Sequence, residues 1–344
     1  MRDLKAVLNR LAAGEVFTRE AACDLFGHMV SGEATGAQIG ALLMGLRMRG
    51  EAIEEIVGAV QAMRSRMLTV RAPAGAVDIV GTGGDGVGTY NISTAAAFIV
   101  AGAGTPVAKH GNRAVSSKSG AADVLAALGV AVNQSPTDVE RCLANAKLGF
   151  MFAPAHHPAL KAIMPARIDI GLRTIFNILG PLLNPAGVTR HLIGVYSCDL
   201  LEPMAHALRE LGSSRALVVH GADGLDEIST TGATHVAMLA DDKVRTFDIA
   251  PEDVGLARVP LATLKGGDAA ANAIALRAVL DGERGPYRDI ALFNAAGALI
   301  AAAATESWAD AMAQARASID TGRARHALEQ MIAASHAHAE MVPA

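Results

Sequence analysis

Aromatic residues are scarce in this chain. Phe, Trp and Tyr make up 3% of its 344 residues, too few for a base-stacking surface. No charge sign dominates either: the formal net charge is -4, which argues against a general nucleic-acid binder or a binder of anionic membranes. Cysteine is limited to Cys23, Cys142 and Cys198. These are odd in number, far apart and without metal or redox spacing, so a reducing, cytoplasmic compartment is expected. Long apolar runs are missing. The opening "MRDLKAVLNRLAAG" is amphipathic and lacks a signal-peptide core. The greasiest stretch, "IALFNAAGALIAAAA" (290–304), is short and contains Asn294, so it reads as a buried Ala-rich helix and not a membrane span. With 51% hydrophobic and 19% charged residues, the chain is globular and long enough for one large or two moderate domains.

One further absence is local. No Asp or Glu occurs from Gly86 to Ala122, where the chain's average would place about four. The window overlaps "IVGTGGDGVGTYNIST" (79–94), which puts five glycines between Gly81 and Gly88 and then Asn91, Ser93 and Thr94. "AVDIV" before it reads as a strand and "STAAAFIVAGA" after it as a helix. A glycine loop between them lets backbone amides approach an anion, and the helix dipole favours negative charge there. The Walker pattern fails, because no Lys-Ser/Thr follows the last glycine. "GTGGDG" matches G-x-G-x-x-G, but a dinucleotide site also needs an acid about twenty positions on. The window holds Lys109, His110, Arg113 and Lys118 instead. That suits a ligand with several phosphates and not a nicotinamide cofactor. In "KHGNRAVSSKSG", Lys109 and Arg113 can neutralise phosphate, and Ser116, Ser117 and Ser119 add hydroxyl donors.

The surrounding pattern sets the architecture. Up to about residue 70 the chain reads as helices. Thr18 precedes "REAACDLFGHMV", Thr35 opens a capping box with Gln38, and "EAIEEIVGAVQAMRSRM" follows with helical spacing. "RAPAG" (71–75) is a linker. Strand-like runs "AVDIV", "TPVAKH", "VAVN", "HLIGVYS" and "RALVVH" then alternate with helical segments, which predicts a mainly parallel sheet. Residues 234–248 predict a hairpin turning at Asp241-Asp242, and helices return from about 268. "DGLDEIS" sets Asp226 and Glu227 just beyond a strand, a donor pair suited to magnesium. His156 and His157 have no nearby ligand partners at metal spacing and fit a lining for a small organic substrate. Arg167 is a candidate for a substrate carboxylate.

Together "GTGGDG…TYNIST", "KHGNRAVSSKSGAADVL", "FAPAHHPALK", "RTIFNILGPLLNP" and "DGLDEIS" stand in the order found in the anthranilate phosphoribosyltransferase family, which this chain resembles over nearly its whole length. The resemblance implies transfer of the phosphoribosyl group of phosphoribosyl pyrophosphate to anthranilate, in tryptophan biosynthesis. It implies a homodimer of the nucleoside phosphorylase-like kind, with a small all-helical N-terminal domain and a large α/β domain. The helical domain would take residues 1–70 with a returning segment at about 166–190, and the α/β domain 76–165 and 191–344. It further implies that Gly81, Gly84, Asp85, Thr89, Asn91, Ile92, Ser93, Thr94 and the run Lys109, His110, Gly111, Asn112, Arg113, Ala114, Val115, Ser116 and Ser117 hold phosphoribosyl pyrophosphate. Gly81, Asn112 and Arg167 would contact anthranilate, with His157 and Pro158 near its path. Two magnesium ions per monomer would be bound, one by Ser93 and Glu227, the second by Asp226 with Glu227. Ala114 and Ala121 depart from a frequent Ser, and Ala126 from a frequent Glu. No acid–base residue is expected; Lys109, His110 and Arg113 would support leaving-group charge. The rival readings are a pyrimidine nucleoside phosphorylase, disfavoured by the acidic pair and Arg167, and a non-catalytic nucleic-acid-binding relative, opposed by the net charge.

Overall fold

The computed structural model describes residues 4–114 and 118–337. Four helices open the chain: α1 (Leu4–Ala12), α2 (Arg19–Met29), α3 (Gly36–Arg49) and α4 (Ile53–Arg64). Their starts follow the capping chemistry. Thr18 accepts the Ala21 N–H, and at α3 the Thr35 N–H donates to Gln38 Oε1 at 2.9 Å while the Gln38 N–H donates back to Thr35 Oγ1 at 3.3 Å. Alternation begins with β1 (Val77–Gly81), α5 (Ile92–Gly102), β2 (Val107–Gly111), α6 (Ala121–Ala127), α7 (Pro136–Ala146), β3 (Leu148–Phe152), α8 (Ala153–His156), α9 (Met164–Ile170) and α10 (Ile175–Leu179). It continues with β4 (Arg190–Gly194), α11 (Leu201–Glu210), β5 (Arg215–Gly221), β6 (Thr234–Ala240) and β7 (Lys243–Ile249). The chain ends in α12 (Ala269–Leu280), α13 (Pro286–Ala301), α14 (Trp308–Asp320) and α15 (Arg323–His336). Among the described residues no helix is long and apolar enough to cross a membrane.

The strands form one sheet in the order β3-β2-β1-β4-β5-β6-β7. The first five are parallel, and β6 and β7 are antiparallel. The predicted hairpin turns where expected, with Asp241 and Asp242 both at positive φ (50° and 58°), the geometry of a two-residue primed turn. Alternate residues of the central strands face two cores. Leu192, Leu217 and Val236 pack with α5, α13 and α14; Ile193, Val218 and Ala237 pack with α4, α11 and the segment 163–183. That segment also packs against α3.

Two strand expectations need correction. "VAVN" (130–133) is not a strand. Gly129 at φ +97° ends α6, with Val130 N–H on Leu125 O and Gly129 N–H on Ala126 O, and Val130 and Val132 are loop anchors in the core. The strand beside β2 is "LGFMF", β3. Its signal is weakened by Gly149, which is required there because a Cβ would meet Val139 and Leu143 of α7 at 2.9 and 2.8 Å.

Candidate active site

β1 and β4 lie side by side in register, Gly81 opposite Gly194, and the chain leaves β1 towards β2 on one flank while β4 runs to β5 on the other. In an open α/β sheet this reversal leaves a crevice at the carboxyl ends of the two strands, where ligands bind. Both strands end there in glycine for one reason, Asp226. A Cβ on Gly81 would stand 3.0 Å from Asp226 Cγ and closer still to Oδ2; one on Gly194 would fall on the Asp226 carbonyl oxygen. The loop after Gly81 is pinned at once: Thr82 N–H donates to Gly194 O at 2.9 Å, and Thr82 Oγ1 accepts the Tyr196 N–H at 3.1 Å. Gly83, Gly84, Gly86 and Gly88 then adopt φ of 68° to 75°, backbone that side-chain residues adopt only at a cost.

Asp226 and Glu227 reach this loop from the turn after β5, and they diverge. Asp226 Oδ2 accepts the Gly83 N–H at 2.6 Å, at the loop's start; Glu227 Oε1 accepts the Ser93 N–H at 3.2 Å, in the first turn of α5. The helix N-terminus that the sequence left bare is therefore capped by a carboxylate, as the dipole favours. Burial raises the pKa of both acids. The charge of Asp85 adds to the effect at Asp226, and that of Asp226 to the effect at Glu227. Beneath them Lys109 is 3% exposed. Its ammonium donates to the Ile79 carbonyl and, at 3.2 Å, to Ser93 Oγ. Burial lowers its pKa against the pull of Asp78, Glu227 and Asp226. The sequence reading gave Lys109 to a phosphate; the fold sets it under the acids as their counter-charge. The all-oxygen donor set, with crowded carboxyls and the Ser93 hydroxyl, suits a hard divalent cation. Among the described residues no three acids or histidines converge into a protein-only cage, and magnesium characteristically uses one or two carboxylates with substrate phosphates.

Other predicted residues are placed as follows. Asn91 holds the neighbouring loop: its amide donates to Ser119 O at 3.1 Å and accepts from Asn272 at 2.9 Å. Ile92 and Thr94 are each 1% exposed and face the core. Thr89 bridges to Lys265, whose neighbour Gly266 donates to Gly88 O. Gly111 ends β2, where a Cβ would meet the Phe150 ring at 2.8 Å, and Asn112 is exposed. Arg113 pairs with Asp123 at 2.7 Å; Asp123 also accepts the Ala114 and Gly120 N–H groups. That acid lies one residue beyond the acid-free window. Val115, Ser116 and Ser117 lie outside the described residues.

Two buried imidazoles form a pair at the end of β2. His110 and His157 meet edge to face at 5.1 Å, and His110 Nδ1 is 3.2 Å from Gly180 O. Burial drives their pKa values down to about 3 and about 4, so both are neutral near pH 7. Pro158 is exposed beside His157. Arg167 stands over the Phe176 ring at 5.2 Å, desolvation lowers its pKa, and its hydrogen-bond contact is Met164 Sδ at 3.8 Å. No carboxylate pairs with it among the described residues. Several contributors escaped the sequence reading. Arg173 donates to Gly84 O and lies 4.2 Å above the Tyr196 ring. Asp78, 0% exposed, accepts the His110 N–H at 3.1 Å and the Asn184 amide at 2.7 Å. A buried acid inside a strand run was the available signal.

This is the architecture of a glycosyl transferase that pairs a helical bundle with an α/β domain. Residues 5–67 match the glycosyl transferase family helical bundle domain, and residues 73–325 the glycosyl transferase family a/b domain. The chain is 65% identical over 343 residues to anthranilate phosphoribosyltransferase 2 of Ralstonia nicotianae, covering 100% of both. It is similar to the crystal structure of anthranilate phosphoribosyltransferase from Thermus thermophilus, with TM-score 0.91 and 40% identity over 96% of this chain and 99% of that one. The Saccharomyces cerevisiae enzyme in complex with PRPP and Mg gives TM-score 0.89 and 28% identity over 97% and 98%. The chain belongs to the anthranilate phosphoribosyltransferase family.

Proposed function

We propose that this chain transfers the phosphoribosyl group of phosphoribosyl pyrophosphate to the amine of anthranilate, releasing pyrophosphate. The observation that carries the reading is the glycine loop at the strand crossing, bracketed at its start by Asp226 and at its end by Glu227. Full-length similarity to named transferases supports it over a nucleoside phosphorylase or a nucleic-acid-binding relative. Breaking the bond from ribose C1 leaves positive charge on the sugar and negative charge on pyrophosphate. Magnesium, when bound, neutralises the leaving charge; we assign Ser93, Asp226 and Glu227 to hold two ions.

The chain's own groups do the rest. The loop amides from Gly81 to Gly86, with Thr89, Asn91, Ser93 and the backbone of Ile92 and Thr94, line the pyrophosphate and ribose. Lys109 balances the acid pair, and we assign the run 110–117 to phosphoribosyl pyrophosphate. Arg167, with neither carboxylate nor carbonyl partner among the described residues, takes the anthranilate carboxylate, and Asn112, His157 and Pro158 border the ring. Anthranilate's arylamine is largely neutral at pH 7, so catalysis is positioning plus charge stabilisation and needs no strong base. We place the site between a helical unit (1–70 and about 166–190) and the α/β unit. We infer a cytoplasmic homodimer. Met48 of α3 and Met164, Ile168 and Leu172 on and after α9 are exposed apolar side chains on two helices that pack together. Light scattering at twice the monomer mass supports the dimer, and a monomer at micromolar concentration refutes it. The activity test follows anthranilate fluorescence with phosphoribosyl pyrophosphate, with and without magnesium. Loss of fluorescence only when both are present is expected; no loss under any condition overturns the assignment.

A further inference from the structure

Asn294 is 0% exposed in α13, in a stretch from Ile290 to Ala301 whose other residues are apolar. Burying an amide is costly unless its hydrogen bonds are made, and here all three are. Asn294 Oδ1 accepts the Ile228 N–H at 2.9 Å, and Nδ2 donates to Ile228 O at 2.8 Å and to Ile290 O at 2.9 Å. Two of the three therefore go to one residue, the neighbour of Glu227. One turn on, Gly297 leaves room for the Ile228 side chain, since a Cβ there would collide with Ile228 Cδ1. Asn294 and Gly297 lie at i and i+3, on one face of the helix. α13 thus seats Ile228 twice, by its backbone and by its side chain.

The direction of the Glu227 side chain depends on the peptide planes on either side of it. On one side the Asp226 carbonyl is lodged against Gly194, where no Cβ intrudes. On the other side the Ile228 N–H is held by Asn294. The rest of the turn is braced by Asp223, which accepts Leu225 N–H at 3.2 Å and Ser229 Oγ at 2.7 Å. An apolar residue at 294 could fill the space, but only an amide can fix both polar groups of Ile228.

We propose that Asn294 is a positioning residue for the Asp226–Glu227 pair: it sets the direction of Glu227 and through it the site's affinity for magnesium. This rests on the reading of those acids as the magnesium site. Groups that orient metal ligands are typically worth about 10- to 100-fold in affinity. The test compares wild type with Asn294→Ala, Gly297→Ala and Glu227→Gln. Two quantities are measured: the free magnesium giving half-maximal rate, and the magnesium needed to raise the melting temperature with phosphoribosyl pyrophosphate but no anthranilate. Asn294→Ala should require about 10- to 100-fold more magnesium in both, with the KM for anthranilate within about threefold, a split that general loosening of the fold does not produce. Gly297→Ala keeps the amide but displaces Ile228, and should shift both in the same direction by less; it decides the matter if Asn294→Ala does not fold. If Glu227→Gln shifts both quantities and the other two variants match wild type, the positioning role is refuted. If Glu227→Gln shifts neither, the metal assignment itself fails and this proposal falls with it.

Discussion

Gly81→Ala tests the site with a single methyl group. Gly81 does not require positive φ, so the change acts through contact and not through backbone strain. The new Cβ would lie 3.0 Å from Asp226 Cγ and nearer to Oδ2, inside the separation that carbon and oxygen tolerate. Asp226 cannot retreat as a unit, because its carbonyl already sits against Gly194 and the turn is tied down by Asp223 and Asn294. The carboxylate must swing off the Gly83 N–H. That forfeits a charge-assisted hydrogen bond, about 2 kcal/mol, and moves a metal-site oxygen by about 1 Å, a misplacement that can cost about 100-fold in rate. Stability should fall by a similar 2 kcal/mol, a few degrees in Tm. The assay is anthranilate fluorescence at saturating anthranilate with varied phosphoribosyl pyrophosphate and magnesium, beside a thermal melt. Activity within about threefold of wild type, with the melt lowered by those few degrees, would falsify the claim that Asp226 at this position matters for turnover.

Other outcomes follow from the same geometry. Asp226→Asn combined with Glu227→Gln should abolish magnesium-dependent turnover; substantial turnover would remove the two acids from the proposed metal site. Arg167→Ala should raise the KM for anthranilate about 10- to 100-fold, the worth of a charge-assisted bond to a desolvated carboxylate, and leave that for phosphoribosyl pyrophosphate nearly unchanged; equal increases would mean a structural role beside Phe176. His191 is 0% exposed and its pKa is driven by burial from 6.5 down to about 3. The unfolded chain therefore takes up the proton first, and stability present above pH 6.5 is lost as pH falls towards 3, about 2 kcal/mol by pH 5. In urea unfolding at pH 7 and pH 5, His191→Leu should lose about 2 kcal/mol less than wild type over that interval; identical pH dependence would show that another group sets the slope.

What was legible in the sequence was local. The glycine loop, the Asp226-Glu227 pair, the Thr35 capping box and the Asp241-Asp242 turn each announce themselves within a few residues, because local backbone geometry demands particular residue types. What was not legible was pairing at a distance. Nothing near Lys109 says that its ammonium will lie under acids more than a hundred positions later, and a lysine in a basic loop reads naturally as a phosphate ligand. The pairing of Arg113 with Asp123 is equally hidden, because that acid stands just past the acid-free stretch. β3 was hidden by Gly149, a residue chosen for the passage of α7 and not for the strand itself. Asn294 reads in the sequence only as an interruption in an apolar run, and its meaning depends on Ile228 arriving opposite it.

The absence of acids from Gly86 to Ala122 acquires a sharper meaning once the fold is known. The acids are not missing from the site; they arrive from the β5 turn and occupy the Gly83 and Ser93 amides, two donors a phosphate would want. An anion entering alone meets two carboxylates in possession of those donors. A cation held by Asp226 and Glu227 would weaken that competition by drawing on the same carboxylates. Under the proposed reading, then, the carboxylates that would hold magnesium are the same groups that cap the Gly83 and Ser93 amides. Acids on a separate turn, braced by Gly81, Gly194 and α13, can serve the metal and leave the backbone to the phosphates.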